Sequence, residues 1–290
     1  MQHKIIDGKL ISENILNNLK LEIISLKAKY QQEPGLAVIL VGDDHASQVY
    51  VRNKKDACLK IGINSYEYKL PAKTTEGELI SLIQKLNQNP VIHGILLQLP
   101  LPRHLSKYKL IALINPEKDV DGFHPENLGR LLIGLRALKS CTPYGICELI
   151  KAYQIPTEGK HAVIIGRSNI VGKPLAAMLI QKEFNTTVTI CHSKTINLKE
   201  IASTADILIA AIGQPLFVKA DFVKKGAVVI DVGMNRIYLE DGKTKLVGDV
   251  AFDEVAPKTS LITPVPGGVG KMTIAMLMKN TIEAFKQSLI

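Results

Sequence analysis

Residues 161–182 read HAVIIGRSNIVGKPLAAMLIQK. The apolar run His161–Ile165 has the β-rich composition of a buried strand. It ends at Gly166, and a helical pattern begins near Pro174. A glycine-bearing turn from strand to helix aims backbone N–H groups and the positive helix end at a phosphate. The spacing is not G-x-G-x-x-G. Ser168 stands where the second glycine would be, and Gly172 lies six residues after Gly166. On pattern alone the turn reads either as a phosphate loop or as a plain tight turn.

Similar units lie on either side. Ala162–Ile165, Thr187–Ile190, Asp206–Ala211 and Ala227–Asp231 are short β-rich runs, with helical patterns between the first three. Upstream, Leu36–Val41 reads as a strand, Ser47–Ile61 as a helix and Ile63–Leu70 as an alternating strand. Glu76–Asn87 has helical spacing, and Ile92–Leu99 reads as a buried strand closed by Pro100 and Pro102. Strand alternating with helix predicts an α/β fold with parallel sheets covered on both faces. The 290 residues favour two domains. Asn115–Ser140, rich in glycine and proline, reads mostly as connector. Thr142 and Pro143 read as the N-cap and first residue of a helix running to about Tyr153. A long amphipathic helix is expected from about Gly270 to Ser288.

Composition narrows the class. Hydrophobic residues make up 46% and charged residues 22%, as in an ordinary globular protein. No apolar run reaches the roughly 18 residues of a membrane span. The N-terminus has neither a signal-peptide core nor a transit-peptide composition, so a cytoplasmic protein is expected. Cys58, Cys141, Cys147 and Cys191 show no C-x-x-C spacing, and no metal site is expected. The net charge of +9 comes from scattered basic residues without an arginine-rich arm. That pattern suits small polyanions better than nucleic acid.

Two further features carry chemistry. The run Cys191-His192-Ser193-Lys194-Thr195 ends the second strand of the later set. There a dinucleotide fold reads the adenosine ribose, and an NAD site places a carboxylate on the 2′-hydroxyl. This stretch is polar and basic instead, which suits a 2′-phosphate and favours NADP. Arg167 in the glycine turn adds a guanidinium. Earlier, Tyr50 and Lys54 lie four apart and share one helix face. A buried lysine can have its pKa lowered enough to move protons near neutral pH, though such a pair is more often surface decoration. Gln98 interrupts an apolar strand and needs partners if buried. Asp119 and Asp121 flank Val120 in a glycine-containing loop that also reads as an Asx-type turn.

Four segments then converge. VGDDHASQVYVRNKK (41–55), GILLQLPLP (94–102), PEKDVDGFHP (116–125) and TPVPGGVGKMT (263–273) closely resemble the bifunctional methylenetetrahydrofolate dehydrogenase/methenyltetrahydrofolate cyclohydrolase family, and GRSNIVGKP (166–174) resembles its cofactor loop. The likeness covers essentially the whole chain in order and spacing. It implies that 5,10-methylenetetrahydrofolate is oxidised with NADP and that the methenyl product is hydrolysed to 10-formyltetrahydrofolate. The one-carbon unit would then serve purine, methionine and histidine synthesis. It implies two lobes, a folate-binding domain at 1–140 and a Rossmann-like NADP domain at 141–269, with the 270–290 helix returning to the first and the active site in the cleft between them. It makes Lys54 the catalytic lysine, Gln98 the glutamine that tunes it, Tyr50 the ring packed on folate and Asp121 the carboxylate on the pterin edge. Leu99, Pro264, Gly267 and Gly268 become further folate contacts. Gly166, Arg167, Ser168, Ser193 and Met234 become cofactor contacts. A cytoplasmic homodimer paired through cofactor lobes is implied. Two positions depart from the family pattern: Lys271 where proline is usual, and Met234 where isoleucine is common. Competing expectations are a dehydrogenase-only or NAD-dependent member, a non-catalytic sensor that kept the fold, and a basic nucleic-acid binder.

Overall fold

A computed structural model describes residues 4–238 and 242–289, with Ala46 lacking a described side chain. The chain opens with β1 (Lys4–Ile5), α1 (Gly8–Tyr30), β2 (Gly35–Val41), α2 (His45–Ile61), β3 (Asn64–Leu70), α3 (Glu76–Gln88) and β4 (Gly94–Leu97). It continues through α4 (Lys107–Ile111), α5 (Pro125–Leu132), α6 (Cys141–Ala152), β5 (His161–Ile165), α7 (Gly172–Leu179), β6 (Thr187–Cys191), α8 (Leu198–Ala202) and β7 (Ile207–Ala210). It closes with β8 (Val228–Asp231), β9 (Asn235–Tyr238), β10 (Thr244–Val247), α9 (Phe252–Val255), β11 (Leu261–Ile262) and α10 (Val269–Ser288). Two compact units result. One holds the residues up to Ser12 and Thr142–Thr273; the other holds Glu13–Cys141 and the residues from Ile274 onward.

The second unit is built on a parallel sheet in the order β3-β2-β4. Every residue of β2 is buried, as a central strand covered on both faces requires. Ile39, Leu79, Ile83, Ile95 and Leu97 lie in its core. Helix α2 starts where the Asp44 carboxylate accepts the Ser47 N–H at 2.8 Å, and it stops at Gly62 in the left-handed region (φ 92°). Helix α3 begins with a reciprocal capping box between Thr75 and Glu78.

The other unit carries a six-stranded parallel sheet, β1-β11-β8-β7-β5-β6, beside a β9/β10 hairpin. Its core includes Val163, Ile165, Leu208, Ala210 and Val229. The chain places β6 on one side of β5 and β7 on the other, as it places β3 and β4 about β2. At such a switch point the connections leave in opposite directions and open a crevice at the carboxyl ends of the strands.

Several expectations need correction. Strand β1 belongs to the six-stranded sheet and not to a domain spanning 1–140: it pairs with β11, and the Ile6 N–H donates to Ile262 O at 2.8 Å. Only two residues pair, too short a run for a pattern to reveal. Strand β4 ends at Leu97, so Gln98 and Leu99 lie just beyond it, at the turn into Pro100. The expected connector contains helix α5, started by Pro125 and capped by His124, whose Nδ1 accepts the Glu126 N–H at 3.1 Å. Helix α6 begins at Cys141, so Thr142 is not its cap; the Thr142 hydroxyl faces that of Thr273 at 3.1 Å. The β9/β10 hairpin and β11 leave no pattern in the sequence that the strand reading above includes. All four cysteines are free and buried, and burial pushes the Cys58 thiol up to about 12. Among the described residues no helix is long and apolar enough to cross a membrane.

Ile6 is fully buried. Ile6→Ala is expected to lower the unfolding free energy in urea by about 2–4 kcal/mol, the usual cost of emptying a core site. A loss under about 1 kcal/mol would show that this segment does not pack as described.

Candidate active site

In the three-stranded unit the chemistry gathers at the carboxyl edge of the sheet. Lys54 is half-buried on α2, and its Nζ donates to Gln98 Oε1 at 2.8 Å. Gln98 is only 9% exposed. Its amide orientation is fixed because Nε2 donates to Leu99 O at 2.7 Å, leaving Oε1 for the lysine. The Gln98 backbone N–H continues the ladder to Ile39 O at 2.9 Å. Tyr50, one turn before Lys54, is 44% exposed, so its ring offers a face.

Asp121 sits in the loop between α4 and α5. Burial pushes its carboxyl up to about 6; the Lys54 charge opposes the rise and the Asp119 carboxylate adds to it. The loop is held from three directions. Asp119, buried, accepts the His124 N–H at 2.8 Å and the Asn127 amide at 3.0 Å. Asn280, buried on α10, donates to Val120 O at 2.8 Å and Lys139 O at 2.7 Å. The Ser140 hydroxyl donates to Gly122 O at 2.8 Å. These supports escaped the sequence reading. Asn280 left one signal, a polar residue on the apolar face of a predicted helix. In the sequence Asp119 shows only as a turn former.

In the six-stranded unit, Gly166 adopts φ 129°, and a Cβ there would fall on the carbonyl of Ala211. A Cβ on Gly172 would fall on the carbonyl of Gly166. The two glycines pack against each other, which accounts for their six-residue spacing. The Ser168 hydroxyl accepts the N–H groups of Val171 (3.1 Å) and Gly172 (3.4 Å) at the start of α7. Arg167, Ser168, Asn169 and Ile170 are exposed around this helix start. The turn after β6 is closed by His192 N–H on Thr195 Oγ1 (2.9 Å) and by Lys194 N–H on His192 Nδ1 (3.1 Å). His192 is thus a turn former, while Ser193 and Lys194 project outward. A glycine cradle at a helix start, with a carboxylate-free basic turn one strand away, fits a dinucleotide carrying a 2′-phosphate.

Met234 follows β8, 45% exposed, and its methyl packs where a Cβ on Gly270 would lie. The 263–270 loop is tied to the chain start: the Lys9 N–H donates to Gly267 O at 3.0 Å, and a Cβ on Gly8 would fall on Gly268 O. Pro264, Gly267 and Gly268 therefore belong to the six-stranded unit. Lys54, Gln98, Leu99, Tyr50 and Asp121 lie in the three-stranded unit, and Gly166, Arg167, Ser168, Ser193 and Met234 lie in the six-stranded one.

Comparison with known proteins covers both units. Residues 6–121 match the catalytic domain of tetrahydrofolate dehydrogenase/cyclohydrolase, and residues 140–289 match its NAD(P)-binding domain. The chain belongs to this family. It is accordingly an enzyme with two folate activities, a dehydrogenase and a cyclohydrolase. It is 55% identical to the bifunctional protein FolD of Prosthecochloris aestuarii over 290 residues, 98% of each chain. With that of Campylobacter concisus it shares 56% over 281 residues, 97% of each. Among solved structures, the bifunctional FolD of Campylobacter jejuni superposes with a TM-score of 0.94 at 50% identity, covering 98% of this chain and 99% of that one. The Trypanosoma brucei FolD, solved with NADP and an inhibitor, gives 0.94 at 37% identity, covering 100% and 99%.

The raised Asp121 group sets a pH-dependent test. A carboxyl whose folded pKa is about 6, above its ordinary 3.8, stabilises the fold fully only below the ordinary value. That contribution is lost as pH rises through 6, when the half-buried group must ionise. Asp121→Asn cannot ionise. It should match the wild type near pH 4 and exceed it above pH 7 by about 1–3 kcal/mol, allowing for solvent around the carboxyl. Denaturation curves at both pH values check this; equal differences at both would remove the ionisation cost from Asp121.

Proposed function

We propose that this chain oxidises 5,10-methylenetetrahydrofolate to 5,10-methenyltetrahydrofolate with NADP+ and then hydrolyses it to 10-formyltetrahydrofolate. The observation that carries the reading is the 2.8 Å bond between Lys54 and Gln98, beside the acidic loop of Asp121.

In the first step a ring-nitrogen lone pair of the folate expels hydride from the methylene carbon. NADP, when bound, accepts that hydride. The protein's task there is placement more than base strength. Tyr50 offers its ring to the folate, and the Asp121 carboxyl takes the donor edge of the pterin through charge-assisted hydrogen bonds. Leu99, Pro264, Gly267 and Gly268 complete the folate contacts. Gly166, Arg167, Ser168, Ser193 and Met234 serve the cofactor. Arg167 and Ser193 favour NADP over NAD because they suit a 2′-phosphate, and no carboxylate lies in 191–195 to hold a free 2′-hydroxyl.

In the second step water adds to the cationic methenyl carbon and loses a proton. The bond to one ring nitrogen then breaks, and that nitrogen gains a proton. Lys54, held in place by the Gln98 carbonyl, moves these protons. The presence of both residues favours two activities over dehydrogenase alone. The family resemblance supports a cytoplasmic homodimer paired through its cofactor unit and supplying one-carbon units for purine, methionine and histidine synthesis. The scattered basic residues support small polyanionic ligands and no nucleic-acid partner.

Lys54→Met is expected to fold normally and to lose about 10²- to 10⁴-fold in cyclohydrolase turnover, the range for a removed proton-transfer group, with a smaller loss of dehydrogenase activity. Unchanged cyclohydrolase turnover would remove Lys54 from the mechanism. Arg167→Ala should raise KM for NADP about tenfold, the worth of one charged hydrogen bond, and leave that for NAD nearly unchanged. An equal effect on both cofactors would overturn the 2′-phosphate assignment.

A further inference from the structure

Two carboxyl groups that no step above uses are buried at the carboxyl edge of the six-stranded sheet. Asp249 is 0% exposed and Asp231 3%. Asp249 Oδ2 accepts the backbone N–H groups of Ile212 (2.7 Å) and Gly213 (3.0 Å), and its Oδ1 accepts the Asn235 amide at 2.9 Å. The Asp249 N–H donates to Asp231 Oδ1 at 2.9 Å. Asp231 also accepts the N–H groups of Gly233 and Val250, each at 2.9 Å, and its own N–H donates to Thr263 Oγ1 at 2.7 Å. One buried chain of bonds thus joins the segments that leave β7, β8 and β11. Packing around it is tight. A Cβ on Gly233 would fall on the Asp249 carboxyl, and one on Gly248 on the Asp231 carboxyl.

The direction of the cofactor follows from the strand order. The basic turn lies after β6, the glycine cradle after β5, and the edge then continues through β7 to β8. A dinucleotide with its 2′-phosphate at the β6 end and its pyrophosphate at β5 must carry its reacting ring toward β7 and β8. Adjacent strands lie about 4.8 Å apart, so those two ends fall roughly 5–10 Å beyond the cradle, within reach of that ring. They are the segments that Asp249 holds. Burying a carboxylate is costly unless both its oxygens are satisfied, and apolar packing would hold the loops without that cost. What the carboxylate adds is a fixed geometry for two amides and one side chain at once.

We propose that Asp249, itself fixed by Asp231, is the positioning residue for hydride transfer, setting the Ile212–Gly213 and Gly233–Asn235 backbones against the reacting ring of NADP. The proposal rests on the cofactor reading above. It assigns Asp249 no contact with the folate or with the transferred hydride.

The two activities supply an internal control, because the hydrolysis consumes no NADP. Asp249→Asn keeps the size of the side chain and removes its charge and one acceptor. Its dehydrogenase kcat is expected to fall about 10- to 100-fold, the cost of a misplacement near 1 Å. KM for NADP should stay within about threefold and cyclohydrolase turnover within about twofold, since the phosphate contacts and the folate set are untouched. Deuterium at the transferred position should slow the variant more than the wild type, because hydride transfer then limits turnover. A raised KM for NADP with unchanged kcat would reduce Asp249 to a scaffold of the cofactor unit and overturn the proposal. Parallel loss of both activities, or no loss, would overturn it equally. If the variant does not fold, Asn235→Ala carries the test, with the same split at smaller size expected; wild-type behaviour there contradicts the proposal. A wild type whose melting temperature NADP does not raise would instead sink the cofactor reading, so the two failures are separable.

Discussion

A parallel strand covered on both faces has no polar side chains to offer along its length. It can present chemistry only at its ends, where the backbone leaves the sheet. Both units of this chain are built on such strands, and both reverse their winding direction, at β2 and at β5. The consequence runs through the molecule. Gln98 follows β4, Gly166 follows β5, Ser193 lies in the turn after β6, Ile212 follows β7 and Met234 lies just past β8. Each of these groups lies within a few residues of a strand's carboxyl end because the strand interior is closed to it, while Tyr50 and Lys54 come from α2 and Asp121 from the loop before α5.

Placing polar groups at the rim of an apolar core creates a second demand: each needs partners. The Gln98 amide divides its bonds between Leu99 O and Lys54, so one side chain ends the strand and orients the lysine. Asp119 and Asn280 bind the loop of Asp121 with the same economy. Asp121 itself is the exception. Burial raises its pKa, and neither its own loop nor Asn280 relieves that. A carboxyl held in such surroundings is less stable ionised than one in water, and a ligand that donates hydrogen bonds removes the difference. The two acidic residues of one short loop thus differ: Asp119 is tied inward to structure, and Asp121 is the one the proposed function gives to the substrate.

Much of this was legible beforehand. The apolar runs of β2, β5, β7 and β8 carry the parallel α/β reading by themselves, since composition and length decide buried strands. Lys54 and Gln98 are each visible in the sequence, one by helical spacing from Tyr50 and the other as a polar break in an apolar run; with 44 residues between them, their bond follows only from the family resemblance, and the structure bears it out. Strand β1 was hidden by its length, its pairing being decided by β11 at the far end of the chain. Helix α5 was masked by glycine and proline, although Pro125 marks its start. Asp231 and Asp249 look ordinary in sequence. Only the fold brings them together, 18 residues apart and behind two loops.

The central claim is that Lys54 and Gln98 act as one unit in the hydrolytic step. A double-mutant cycle tests it most directly, with cyclohydrolase kcat/KM measured for Lys54→Met, Gln98→Ala and the pair of substitutions together. The account predicts that Gln98→Ala impairs the wild type but costs nothing further once Lys54 is gone, so that the double variant matches Lys54→Met. Losses that multiply would show two residues acting independently, and would contradict the reading of their bond as the working element of the site.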